Sequence, residues 1–186
     1  SCLYRGVEGA FWRQKPVCPP REPGTILAVA GSDVAADASF AELVSGLVGL
    51  PAWNARQGHG SFLTFEFGDP VPAASDERVH GVWHLWVYMV SWRIEDAATI
   101  LAACEDDRDT IAAALARLEG RSLTSITAVG PALDTVFDFD GLYLRTFALW
   151  SRAEQGHCES WLLFRPDGHV LAIEAGGSWS CRPANE

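Results

Sequence analysis

The segment VWHLWVYMVSWRI, Val82–Ile94, decides how the rest of the chain is read. It is rich in the aromatic and β-branched residues that suit strands. It is apolar at odd and even positions alike, which predicts a strand covered on both faces and therefore the centre of a sheet. Alternation along such a strand points Trp83 away from Trp86 and Trp92. Just upstream, SFLTFEFG (Ser61–Gly68) sets Leu63, Phe65 and Phe67 on one face and Thr64 and Glu66 on the other. That is the period of a half-buried strand. The two segments are expected to pair antiparallel across the polar, proline-containing loop 69–81.

Further upstream, Phe40, Leu43, Leu47 and Leu50 recur at spacings of three and four, which predicts a helix capped at Ser39 and stopped by Gly49 and Pro51. Residues 1–35 read as an irregular, proline-rich arm, within which TILAVAG (Thr25–Gly31) has strand composition. Downstream, Ala98, Leu101 and Cys104 suggest a short helix over 95–104. Asp106 or Asp107 would cap a second over 108–119, with Ile111, Leu115 and Leu118 as its apolar stripe and Gly120 as its end. The last third is β. Turns at Gly130-Pro131, Asp140-Gly141 and Arg165–Gly168 predict a five-stranded meander, followed by an irregular tail. The expected fold is α+β. It has antiparallel sheet in two groups, an N-terminal hairpin and the C-terminal meander, covered by two or three helices, with residues 36–186 forming one domain.

Composition narrows the function. The 186 residues are 48% hydrophobic and 20% charged, with a formal net charge of −10. This is the make-up of a globular domain. The first 35 residues carry four basic and three acidic groups, so the acidity sits in the body. An acidic body without a basic stripe repels phosphate backbones, so no nucleic acid is expected as a partner, and a basic protein partner would be attracted. No window approaches the ~20 apolar residues of a membrane-spanning helix, and no membrane partner is expected. Residues 1–24 lack the order of a signal peptide. Five widely spaced cysteines, with no Cys-x-x-Cys, predict a reduced cytoplasmic protein with neither a disulfide framework nor a zinc knuckle.

Motifs for chemistry are sparse. Gly-x-Ser-x-Gly, a Walker loop and Gly-x-Gly-x-x-Gly are absent, and no cofactor and no catalytic set is expected. Adjacent His157 and Cys158 would face opposite ways on a strand. Glu105–Asp109 lacks the glycine and terminal glutamate of a calcium loop. Glu66 and Asp138 read as ordinary solvent-side strand residues, and Asp140 as a turn residue. His80 and His84 share a strand face, but four residues at ~3.3 Å each put their Cα atoms roughly 13 Å apart. That is too far for one ion bound at ~2.0–2.1 Å unless His80 lies outside the strand and the loop folds back, so no metal site is expected. The sharpest candidate is an aromatic pocket holding a small molecule, built from His59, His84, Trp86 and Tyr88. His59 lies in the Gly58-His59-Gly60 turn, where it is either a working residue or part of a tight bend.

In GHGSFLTFEFG, HLWVYMVSWRI, LDTVFDFDGLYLRTF and WLLFRPDGHVLAI, the chain resembles small bacterial α+β proteins of the conserved hypothetical type, over about Leu47 to Trp179. The shared features are strands, turns and aromatics, so the resemblance implies no catalytic residue. It is similar in character to immunity proteins. That likeness implies an immunity-like binding protein that meets a protein partner through an acidic, partly aromatic surface. The alternative expectation is a small-molecule binder or hydrolase using the pocket at His59, His84 and Trp86.

Overall fold

The computed structural model describes residues 34–72, 79–151 and 159–184, and side chains from Phe40 onward. The predicted arm falls almost wholly outside the described residues. So do the strand composition at Thr25–Gly31 and the pair His157–Cys158.

Two helices and eleven strands are present among the described residues. Helix α1 spans Val34–Ser45 and α2 spans Arg108–Leu118. The strands are β1 (Ala52–Gln57), β2 (Leu63–Pro72), β3 (Val79–Val87), β4 (Ser91–Glu95), β5 (Ile100–Ala103), β6 (Ser125–Val129), β7 (Asp134–Asp138), β8 (Tyr143–Phe147), β9 (Glu159–Phe164), β10 (His169–Glu174) and β11 (Ser178–Pro183). They form a six-stranded sheet, β1-β2-β3-β9-β10-β11, and a five-stranded sheet, β5-β4-β8-β7-β6, with every pairing antiparallel.

The α+β reading therefore holds in its coarse form, but the grouping of strands differs. The predicted meander is divided: β6, β7 and β8 join β4 in the smaller sheet, while β9 pairs with β3 and carries β10 and β11 into the larger one. The segment Val82–Ile94 is also divided. In β3 the buried positions are odd: Trp83, Leu85 and Val87. Beyond the corner they are even: Val90, Trp92 and Ile94. An apolar run on both parities thus arises here because the chain crosses between sheets, and inward-facing residues change parity as it does so. β3 itself is central, flanked by β2 and β9.

The two sheets share one core. Phe65 and Phe67 of β2 stack on Phe139, with ring centroids 5.6 and 6.3 Å apart, and Phe137 of β7 meets Trp161 of β9 edge-on at 5.4 Å. The Trp161 Nε1–H, which no solvent reaches, donates to the Thr135 hydroxyl of the facing sheet at 2.9 Å, so a buried polar group finds its partner across the layers.

Other local expectations also need correction. Residues 95–104 are not helical. The Asp96 carboxylate accepts the Ala98 and Thr99 N–H groups, each at 2.9 Å, and so turns β4 back into β5. An aspartate that bonds the backbone two or three residues on competes with helix formation. The tail is not irregular, because β11 pairs with β10 along its whole length. β1, which carries no clear alternation, forms with a register shift between Trp53 and Arg56. There the Glu119 carboxylate accepts the Asn54 and Ala55 N–H groups at 2.8 and 2.9 Å. α1 begins at Val34, ahead of the predicted Ser39 cap. In α2 the expected features appear: the Asp107 side chain accepts from Thr110 N, and Ile111, Leu115 and Leu118 are buried.

The helices do not simply cover a face. α2 packs against β1 and β5, the edge strands of the two sheets. It thereby shields two edges that would otherwise present unpaired backbone. α1 places Phe40 against Trp161 and Trp179 at 6.4 and 6.2 Å and runs beside β6.

The turn after β10 presses on the turn after β6. Gly177, with φ +79°, would drive a Cβ into the backbone of Pro131, whereas Gly130, with φ +71°, faces open space. A left-handed backbone alone costs a non-glycine residue roughly 1–2 kcal/mol. Gly130→Ala is expected to lose about that much in urea denaturation, and Gly177→Ala clearly more. Equal losses would mean that the two turns do not touch.

Candidate functional site

The outer face of the larger sheet, turned away from the shared core, carries the chemistry. Alternation puts Glu66 there, and the register sets it directly opposite His84, which in turn lies opposite Phe164 of β9. The next row is Thr64, Trp86 and Leu162. Leu162, Val170 and Ala172 form a small apolar cluster on this face, with Trp86 and Phe164 packed against it.

Glu66 is not the solvent-side residue that its strand pattern predicts, for its exposure is 0%. Its Oε1 is bonded to His84 Nδ1 at 2.9 Å and to His80 Nδ1 at 3.0 Å, and its Oε2 accepts the Gly81 N–H at 2.9 Å. The imidazoles are partly open to solvent, with side chains 32% exposed at His80 and 16% at His84. Their ring centroids are 4.9 Å apart. The rings therefore meet on one oxygen, which the Cα spacing along a strand does not lead one to expect.

The cause is an irregularity in the β2–β3 ladder. Phe67 pairs with Trp83 and Pro70 with Gly81, so Gly68 and Asp69 stand opposite Val82 alone. An extra residue on one strand bends the pair and re-aims its side chains. Gly68 supplies the required backbone at φ +71°. Gly81 lies so close to Phe67 that a Cβ would strike the Phe67 backbone O and N. The same closeness brings its N–H to Glu66. His80 and His84 then lean onto one oxygen from either side of the bend.

Burial alone would push the Glu66 carboxyl up. The His84 hydrogen bond and charge, the Gly81 N–H and the His80 hydrogen bond outweigh it and hold the carboxyl below the ordinary glutamate range. Glu66 has no lysine or arginine partner among the described residues. Its charge is compensated only by groups that are themselves neutral or titratable.

Of the residues singled out from sequence, His84 stands in this cluster and Trp86 one row away. Phe62 bridges Trp86 and Tyr88, with ring centroids 6.5 and 4.5 Å from them, and Trp86 and Tyr88 are 5.2 Å apart. His59 precedes Phe62 in the same loop. It is exposed in the turn between β1 and β2, where its carbonyl accepts the Phe62 N–H at 3.3 Å. It sits beyond Leu63, about 10 Å or more along the strand from the level of Glu66. Asp138 is half-buried and accepts the Gly141 N–H at 2.9 Å within the β7–β8 hairpin. Glu66 and His80, set aside on the sequence pattern, belong to the cluster, and Phe164 is the residue missed from sequence. Two open grooves, of about 450 Å³ between α1 and β6 and about 620 Å³ between α2 and β1, lie away from the cluster.

No protein-family model, no curated protein and no solved structure matches the chain. No helix among the described residues is long and apolar enough to cross a membrane.

The lowered Glu66 pKa has a definite consequence. In the unfolded chain the group titrates near 4.5, and in the folded protein lower. The stabilisation is complete above pH 4.5 and is lost as pH falls toward the folded value, because the unfolded state then binds the proton first. Urea denaturation followed from pH 7 to pH 3 should show this loss in the wild type. Glu66→Gln should be less stable at pH 7 by about 1–3 kcal/mol and lose less on acidification. Parallel pH profiles for the two proteins would contradict the arrangement.

Proposed function

We propose that the chain is a binding protein whose site is the outer face of the larger sheet around His84. The observation that carries this reading is the pair of part-exposed imidazoles fixed on a buried carboxylate beside half-buried aromatic rings. Binding sites are commonly apolar surfaces with a few well-placed polar groups. Phe164 lies 5.5 Å from the His84 ring, and Trp86, Phe62 and Tyr88 extend the aromatic area. The Thr64 hydroxyl, in the same row as Trp86, is buried without a hydrogen-bond partner. The polar groups open to a ligand here are the His80 and His84 rings, since the Thr64 hydroxyl itself is closed to solvent. The ligand class that fits is a small aromatic or apolar molecule with one polar end.

A thermal-shift screen with small metabolites tests the reading. A ligand present at a hundredfold excess over its Kd stabilises by about 2.7 kcal/mol, raising Tm by about 5–10 °C for a chain of this size. The expected hits lose that shift in Trp86→Ala and in His84→Gln. Hits that keep it in both variants would place the site elsewhere.

The second reading is an immunity-like protein that meets a basic partner through its acidic surface. It is favoured by the net charge of −10 and by Glu105, Asp106, Asp107 and Asp109, all exposed at the start of α2. An association of this kind weakens steeply with added salt, chiefly through its on-rate. A complex whose rate and affinity ignore ionic strength would count against it.

A further inference from the structure

We infer that Glu66, His80 and His84 form a site for a divalent transition metal of the zinc class. The inference rests on the outer face being the binding face, but it can be read with no organic ligand present.

Charge calls for a cation at this place. A carboxylate with no exposed surface has to be paired with a cation or coordinate a metal, because an isolated buried charge is strongly disfavoured. Glu66 meets two imidazoles and one amide, with no lysine or arginine among the described residues. The imidazoles offer positive charge only when protonated, whereas a bound cation would supply it with both rings neutral.

Distance permits one. Two ligands held at ~2.0–2.1 Å from one ion are separated by about 2.9 Å at a right angle and about 3.3 Å at the tetrahedral angle. The Oε1–Nδ1 separations here are 2.9 and 3.0 Å, and one donor atom from each of the three residues lies within 4.8 Å of the others. An ion can replace the two Nδ1 protons at the shared oxygen with small movements of the rings. Each neutral ring then carries its proton on Nε2 and turns the Nδ1 lone pair to the metal.

Outer contacts hold the donors in place. Gly81 N–H holds Oε2, so the carboxylate presents Oε1 to the histidines, and Phe164 packs on the His84 ring. Such contacts fix the orientation of metal ligands. The donor set selects the metal. Two imidazoles and one carboxylate suit zinc, nickel or copper, whereas magnesium and calcium want more oxygen ligands. Three protein ligands, with His80 32% exposed, leave a fourth position on the solvent side for water or for a ligand's polar group.

The experiment is calorimetric titration of the full chain, after chelator treatment, with zinc chloride, and in parallel the ligand-field absorption of added cobalt(II). One equivalent is expected to bind, with a four- or five-coordinate cobalt spectrum. His80→Gln and His84→Gln keep an amide that can still bond Glu66 but remove the imidazole. Each is expected to lower zinc affinity by about a hundredfold or more, at least matching the largest losses from changing supporting residues. Both are expected to retain the wild-type circular dichroism spectrum. His59→Gln and His169→Gln should bind as the wild type does. Absence of zinc uptake by the folded wild-type chain would overturn the inference, as would uptake undiminished in the His80→Gln/His84→Gln double variant. Zinc uptake that survives Trp86→Ala, with no metabolite hits, would uphold the metal site and reject the organic-ligand reading.

Discussion

A carboxylate with no exposed surface must be satisfied by its neighbours, and that requirement organises the outer face of the larger sheet. Glu66 needs donors on both oxygens. The Gly81 N–H reaches one only because that residue has no side chain to hold β3 away from Phe67. The two imidazoles reach the other only because the ladder is interrupted between Phe67 and Pro70. Glycine, irregular pairing and histidine pair are one device. Removing any of them would leave a buried charge short of partners, a larger penalty than the loss of an exposed ion pair.

The device sits on a rigid support. β3 is held on one side by β2 and on the other by β9, and its inward residues Trp83, Leu85 and Val87 are locked into the core between the sheets. A site built on the outer side of such a strand inherits its precision from the packing beneath. By contrast, Glu95 on the smaller sheet is part-exposed and meets two arginines, Arg93 and Arg145. Together they form an ordinary charged surface.

The sequence is most legible where local chemistry decides the structure. Asp140-Gly141 and Arg165–Gly168 are turns because their backbones need what those residues supply, and Asp140 and Gly141 do have positive φ. Asp107 caps α2 by the same local logic. Long-range pairing is what the letters hide. The meander looks continuous because nothing in LDTVFDF or ESWLLF says which neighbour each strand will take. The parity change between Val87 and Val90 is present in the sequence, but it looks the same as a strand covered on both faces. Glu66 reads as a solvent-side residue for a related reason. Its burial depends on a register and an irregularity set by Gly68 and Gly81, and the polar loop between the strands does not disclose them. Regular strand spacing keeps His80 and His84 apart, and the bend brings them to one oxygen.

The most direct test is a two-bond nitrogen–proton NMR spectrum of the histidine side chains, recorded on metal-free protein and again after zinc is added. The account predicts that two of the five imidazoles are protonated at Nδ1 in the metal-free protein and give up that proton position when zinc binds. Imidazoles that all carry their proton at Nε2 before zinc, or that do not respond to it, would contradict it.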